Sequence, residues 1–177
     1  MTLFFTPRIT KQLKTAIFNE EQLEKDFQYL FKQDGGFYFH GPSGAGKTLY
    51  ACRLLLYADN KFDSKWKPAF VSVPQLLEDI RSSFNPNAPQ NGSSLLAYYQ
   101  KEVDWLILDD IGVEKVSEWV LQTFYIIINH RYEYMKTTIF TSNYDLAGLE
   151  ERFGDRRVVS RIGEMSMGRE FKFQNFD

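Results

Sequence analysis

Four short apolar runs, each closed by loop residues, punctuate the chain. They are GFYFHG (Gly36–Gly41), AFVSV (Ala69–Val73), WLILDD (Trp105–Asp110) and TTIFTSN (Thr137–Asn143). Their length and near-continuous apolar character suit strands buried on both faces. Between them, apolar positions recur at helical spacing over Lys47–Ala58, the region Pro74–Gln100 and Lys115–Tyr134. In the last of these, Val116, Trp119, Val120, Phe124, Ile127 and Ile128 share a face. PQLLEDIRSSF opens with Pro at a first helical turn and aligns Leu76, Leu77, Ile80 and Phe84. NPNAPQNGSS (Asn85–Ser94) reads as an exposed loop, and SSLLAYYQKEV as a further short helix. The first 33 residues read as polar-faced helix, and no repeat is present. Strands alternating with helices predict an α/β fold with a mostly parallel sheet between helical layers.

Composition narrows the class further. At 177 residues the chain is one domain by length and can bury a real core. A formal net charge of −2 offers no global basic field, so any nucleic-acid contact must come from a local patch. Cys52 is the single cysteine, which excludes an internal disulfide and fits a reducing cytoplasm. No run approaches the roughly 18 apolar residues of a membrane span. The start, MTLFFTPRITKQLK, lacks the apolar core and cleavage site of a signal peptide. A soluble cytoplasmic protein without a membrane partner is expected.

GPSGAGKT (Gly41–Thr48) matches G-x-x-x-x-G-K-[ST] directly between a predicted strand and a predicted helix, the context that motif requires. The loop Gly41, Pro42, Ser43, Gly44, Ala45 and Gly46 would curl round phosphate oxygens, every residue but Pro42 offering an N–H, with Lys47, Thr48 and Leu49 opening the helix. Lys47 would reach the β- and γ-phosphates of ATP, and the Thr48 hydroxyl would ligate Mg²⁺. Asp109, ending the apolar run WLIL, is the candidate second Mg²⁺ ligand. Asp110 follows it, and side chains alternate along a strand, so it would point elsewhere unless the strand is ending. It then either polarises an attacking water or caps the turn of Asp-Ile-Gly. Asn143 either contacts the γ-phosphate or caps the next helix, for which Ser142 and Asp145 also qualify.

The order GPSGAGKT, LILDDIG, INHRYEYMKTTIFTSNYDL, RVVSRIGEM resembles the bacterial replicative helicase loaders of the DnaC/DnaI type, AAA+ ATPases grouped with IstB-like transposition ATPases. The likeness runs from about Phe37 to Phe173. It implies an AAA+ core with a mostly parallel five-stranded sheet at residues 36–177, preceded by an N-terminal helical extension at 1–35. It also implies ATP hydrolysis, contact with single-stranded DNA and a replicative helicase, and an ATP-dependent homo-oligomer. Asp109 and Asp110 correspond to the Walker B pair, and Asn143 to sensor 1. Arg161 matches an arginine finger that completes a neighbouring subunit's site, with Arg131 and Arg157 as weaker interface candidates. GREFK resembles the terminal motif but places Lys172 where a sensor 2 arginine is expected, keeping charge and losing fork geometry.

The first 35 residues are short for the loaders' usual N-terminal region and hold no zinc ligands. Arg81 and Phe84 fall where loaders insert DNA-contacting helices, with Tyr98 and Tyr99 beyond the loop. Cation plus aromatic is the chemistry single strands need, although the aromatics equally suit core packing. Two other readings stand beside a helicase loader. One is a transposition helper ATPase with a transposase as partner. The other, from a different class, is a small-molecule P-loop kinase, which the TSN strand end and the late arginines fit poorly.

Overall fold

The computed structural model describes residues 5–33, 35–63, 65–84, 92–166 and 169–174. The four apolar runs form β1 (Phe37–His40), β2 (Pro68–Ser72), β3 (Trp105–Ile111) and β4 (Thr138–Ser142), and a short β5 (Glu170–Lys172) joins them. All five pair in parallel in the order β2-β3-β4-β1-β5. Phosphate-loop strand β1 therefore has β4 as its neighbour, and β4 separates it from β3. Their carboxyl ends open on one edge of the sheet, where ligands of open α/β folds collect.

Period-two alternation along each strand builds two cores. Tyr38, Leu106, Leu108 and Phe140 face one way. They pack on α4 (Val73–Ser83) through Leu76 and Ile80, on α6 (Glu118–Glu133) through Phe124 and Ile128, and on α8 (Arg156–Met165) through Val158 and Ile162. Phe37, Phe39, Ile107 and Ile139 face the other way, against Leu54 and Leu55 of α3 (Lys47–Asp59). Each such side chain, fully buried, contributes about 1.5–3 kcal/mol.

The polar-faced helix expected over the first 33 residues is two helices, α1 (Pro7–Thr15) and α2 (Glu20–Gln33). Asn19 makes the break by accepting the Gln22 N–H at 3.1 Å, capping α2. The two differ in seating. Leu23, Phe27 and Leu30 of α2 belong to the second core, whereas α1 buries no residue.

β5 escaped the apolar pattern because it is three residues long and largely exposed. Phe171 anchors it edge-on to Phe37 and Phe39, and the Phe173 N–H donates to the His40 carbonyl at 2.7 Å. That approach requires Gly41, at φ 138°, since a Cβ there would meet the Phe173 carbonyl oxygen at 2.2 Å.

Within the predicted Pro74–Gln100 region, α4 is followed by α5 (Gly92–Ala97) and a π-helical turn (Tyr98–Glu102). Most of the loop expected at Asn85–Ser94 lies outside the described residues. Arg131 overturns its interface reading, because it is wholly buried. Its Nε donates to Thr138, one terminal nitrogen to the Tyr99 and Val103 carbonyls, and the other to those of Asp104 and Thr137, all within 3.0 Å. Every guanidinium donor is used in tying the π-helical turn to the starts of β3 and β4. Burial pushes its pKa down to about 9, still protonated at neutral pH.

Candidate active site

Between β1 and α3 the chain turns through Gly44 at φ 87° and Gly46 at φ 91°. Nothing crowds a Cβ at either position, so backbone conformation alone calls for glycine. Gly46 caps α3 with no side-chain bond to its first-turn N–H groups, the arrangement that receives phosphate oxygens. Lys47 folds back under the loop. Its Nζ donates to the Gly41 and Pro42 carbonyls at 2.8 Å each and to Asn143 Oδ1 at 3.1 Å. Burial lowers its pKa, against the opposing charges of Asp110 and Asp109.

Asp109 is buried at the end of β3, where one carboxylate oxygen accepts from Thr48 Oγ and Thr141 Oγ at 2.7 Å each. Burial nevertheless raises its carboxyl above the ordinary value, and the charge of Asp110 adds to this. Leu108 pairs with Phe140 and Ile111 with Ser142, so two residues of β3 oppose Thr141 alone. This is a β-bulge. Asp110 takes the left-handed conformation there, at φ 61°, and its N–H donates to Thr141 Oγ at 2.9 Å. The bulge cancels the alternation that would send neighbouring side chains to opposite faces. Both aspartates consequently line one cleft of about 360 Å³ with Lys47, Thr48 and Asn143.

The turn after the bulge is closed by Glu114, whose carboxylate accepts the Gly112 N–H at 3.0 and 3.2 Å. Asp110 is thus not the residue whose side chain caps it. Asp145, accepting the Gly148 N–H at 2.7 Å, caps α7 (Leu146–Phe153). Ser142 donates instead to the Ile111 carbonyl, which leaves the Asn143 amide for Lys47.

Arg161 lies away from this cleft, on α8. Its Nε donates to Asn129 at 3.1 Å, its guanidinium sits 4.4 Å over the Tyr132 ring, and Glu164 is 3.5 Å away. Arg157 pairs with Asp155 at 2.7 Å, and Arg152 donates to the Glu114 carbonyl at 2.9 Å. Lys172 lines a second, largely apolar cleft of about 820 Å³ with Ile17, Phe18, Tyr50 and Phe173. Gly46 and Leu49 border both clefts. Away from both, Arg81 stacks 4.9 Å over Trp119, and Phe84 is 55% exposed. Tyr98 and Tyr99 pack edge-on to one another against the first core.

Two contributors were not singled out from sequence. Thr141 sits two residues before Asn143 in the same strand run, so period two puts both on one face and could have flagged it. The other is α1, which borders the phosphate cleft through its N-cap Thr6 and through Arg8, Ile9 and Gln12. No local motif in PRITKQLKT announces that placement.

A phosphate loop between β1 and α3, an acidic β3 end and a polar β4 end in a β2-β3-β4-β1-β5 sheet define an ATP-binding P-loop protein of the α/β class. The chain belongs to the IstB-like ATP binding protein family, whose sequence profile matches residues 27–164. It is 26% identical over 132 residues to the replicative helicase loader DnaI of Bacillus subtilis (strain 168), covering 72% of this chain and 40% of the relative. To an ATP-binding protein of insertion sequence IS232 from Bacillus thuringiensis subsp. berliner it is 29% identical over 158 residues, 89% of this chain and 57% of that one. The chain spans about half the length of the curated relatives it matches. A DnaI crystal structure superposes with a TM-score of 0.72 at 25% identity, covering 97% of this chain and 94% of that one. The DnaC helicase loader superposes at 0.76 and 24% identity, covering 96% and 100%, which is a likeness of fold. No helix among the described residues is long and apolar enough to cross a membrane.

Proposed function

We propose that the chain is an ATP-hydrolysing switch of DNA replication that helps load a replicative helicase onto single-stranded DNA. The observation carrying this is the convergence of Lys47, Thr48, Asp109, Asp110 and Asn143 on one cleft. The helicase-loader relatives supply the biological setting. Thr48 and Asp109, with oxygens 2.7 Å apart, suit a hard cation such as Mg²⁺ whose shell is completed by phosphate and water. Bound there, that ion would offset charge on the phosphates. Lys47 and the loop N–H groups hold the β- and γ-phosphates, and the neighbouring apolar cleft takes the base. Asp110, with no capping duty, orients and deprotonates the attacking water. Asn143 holds Lys47 and faces the γ-phosphate. Arg161, preset on a separate face by Asn129 and Tyr132, serves the site of an adjacent subunit in a homo-oligomer. DNA contact is proposed at exposed Phe84 and at Arg81.

The insertion-sequence relative, matching over 89% of the chain, favours a second reading in which the partner is a transposase. Phosphate release from ATP with no phosphoryl acceptor, with and without single-stranded DNA, tests the common core of both. Turnover that requires an added small-molecule acceptor would instead make the chain a kinase. Co-sedimentation with a bacterial replicative helicase, or with the transposase of an IS21-type element, separates the two settings.

A further inference from the structure

α1 is the least anchored helix whose residues border the cleft. It buries no residue, and its link to α2 carries Ile17 at 99% exposure. A short helix held this lightly needs some other reason to lie over a phosphate loop. Arg8, Ile9 and Gln12, at i, i+1 and i+4, share the face that lines the cleft. Lys11 and Lys14 are not among the cleft residues. Among the described residues Arg8 has no ion-pair or hydrogen-bond partner, whereas Arg53, Arg131, Arg152, Arg157 and Arg161 are all engaged.

Charge gives the placement a purpose. The cleft is bordered by Lys47 and Arg8 on the positive side and by Asp109 and Asp110 on the negative side. Lys47 alone leaves the two carboxylates in excess before a nucleotide, itself anionic, arrives. Arg161 is committed to another face, and Lys172 borders the second cleft instead. Arg8 is the remaining cation of this chain, among the described residues, that borders the phosphate cleft. A guanidinium also matches the forked geometry of phosphate oxygens better than an ammonium does.

We infer that Arg8 is a phosphate-contacting residue supplied in cis from α1, and that through it the chain distinguishes a nucleoside triphosphate from a diphosphate. Arg8 lines the same cleft as Asp110 and Asn143, the groups assigned to the terminal phosphate, and we assign its contact to that phosphate, the one ADP lacks. Binding of the triphosphate then seats α1 over the loop, and loss of that phosphate frees it. This inference rests on the reading of the cleft as an ATP site.

The test is equilibrium binding of a non-hydrolysable ATP analogue and of ADP, each with Mg²⁺, to the full chain and its variants. Arg8→Ala should weaken the ATP analogue by about ten- to a hundredfold, the loss expected of one charge-assisted contact, and leave ADP little changed. Arg8→Lys should fall between the two, and Lys11→Ala should match the wild type. Retained ADP binding shows that the variant is folded around an intact loop. Equal losses for both nucleotides, no loss, or tighter binding of the ATP analogue would each overturn the inference. Tighter binding would mark α1 as a competitor for the cleft. A wild-type chain that binds neither nucleotide refutes the ATP site itself. One that binds ATP without hydrolysing it refutes only the hydrolytic switch and leaves the role of Arg8 open to the same comparison.

Discussion

Thr141 holds Asp109 from across the sheet, its hydroxyl donating to the carboxylate at 2.7 Å while the same oxygen accepts the Asp110 N–H at 2.9 Å. One buried hydroxyl therefore fixes the metal-ligand candidate and the left-handed backbone of the water-activating candidate together. Thr141→Val keeps the shape and removes both bonds. Turnover should fall on the order of 10–100-fold, as expected when a catalytic group shifts by about an ångström. Unfolding free energy should drop by about 1–3 kcal/mol from the unsatisfied partners. Thr141→Ser should restore most of both, as read from phosphate release and urea denaturation. Wild-type turnover in the valine variant would separate the hydroxyl from the chemistry.

Asp110 permits backbone and carboxylate to be tested apart. At φ 61° it occupies a region that Asn and Asp tolerate and β-branched residues do not. Asp110→Asn should leave the melting temperature and ATP affinity near wild type while lowering turnover by about 10²–10⁴-fold. Asp110→Val should lose about 1–3 kcal/mol of stability as well, from the strained conformation. If the asparagine variant turned over ATP normally, the carboxylate would have no part in activating water.

Much of this was legible in the residues. The apolar runs marked four strands, and GPSGAGKT between strand and helix marked the phosphate site, because both signals are local in sequence. What stayed hidden depends on tertiary placement. Strand alternation separates Asp109 from Asp110, and only the slipped register beside Thr141 reunites them. Arg131, in NHRY on the long helix, reads from sequence as a weaker interface candidate. Its burial follows from five oxygens brought together by the starts of two strands and a π-helical turn. Arg8 stands about forty positions from Lys47 along the chain, and only the fold sets them on one cleft.

Arg131 should accordingly behave as a structural residue. Replacing it with Met removes five hydrogen bonds, although the Val103 carbonyl keeps Lys136 Nζ and the Thr137 carbonyl keeps the Leu106 N–H, for a loss of about 3–5 kcal/mol. Arg131→Lys has three donors for those five acceptors and should recover only part. The urea midpoint measures both. A change well under 1 kcal/mol in the methionine variant would mean that these contacts contribute little.

Stability against pH tests the environment of Asp109. Burial raises its carboxyl above the ordinary 3.8, so the folded chain holds this proton to higher pH than the unfolded chain does. Ionised Asp109 therefore lowers stability at neutral pH, and that penalty fades as pH falls through the raised value. Asp109→Asn, which keeps an acceptor oxygen for Thr48 and Thr141, should melt higher than wild type near pH 7 without nucleotide. The difference should shrink on acidification toward pH 4. A difference that is constant with pH would show that the substitution acts through packing alone.

Arg161 carries the proposal that hydrolysis depends on assembly. It is already oriented by Asn129 and by the Tyr132 ring, and only about one third of its side chain is exposed, so little side-chain freedom remains to be lost on docking. It does not border the cleft of its own chain. Arg161→Ala should therefore bind ATP as the wild type does and hydrolyse it on the order of 10³-fold more slowly, the usual range for loss of an arginine finger. Lys47→Ala should fail for the opposite reason, lacking its own phosphate contact while keeping an intact Arg161. In a mixture of the two, some interfaces pair an intact loop with an intact arginine from the neighbour. Turnover of the mixture should then exceed that of either variant alone and rise with total protein concentration. Asn129→Ala should give an intermediate loss, because the arginine keeps its charge and loses its orientation. A mixture no more active than its components, with both variants folded and assembling with ATP, would put Arg161 outside the chemistry of the neighbouring site.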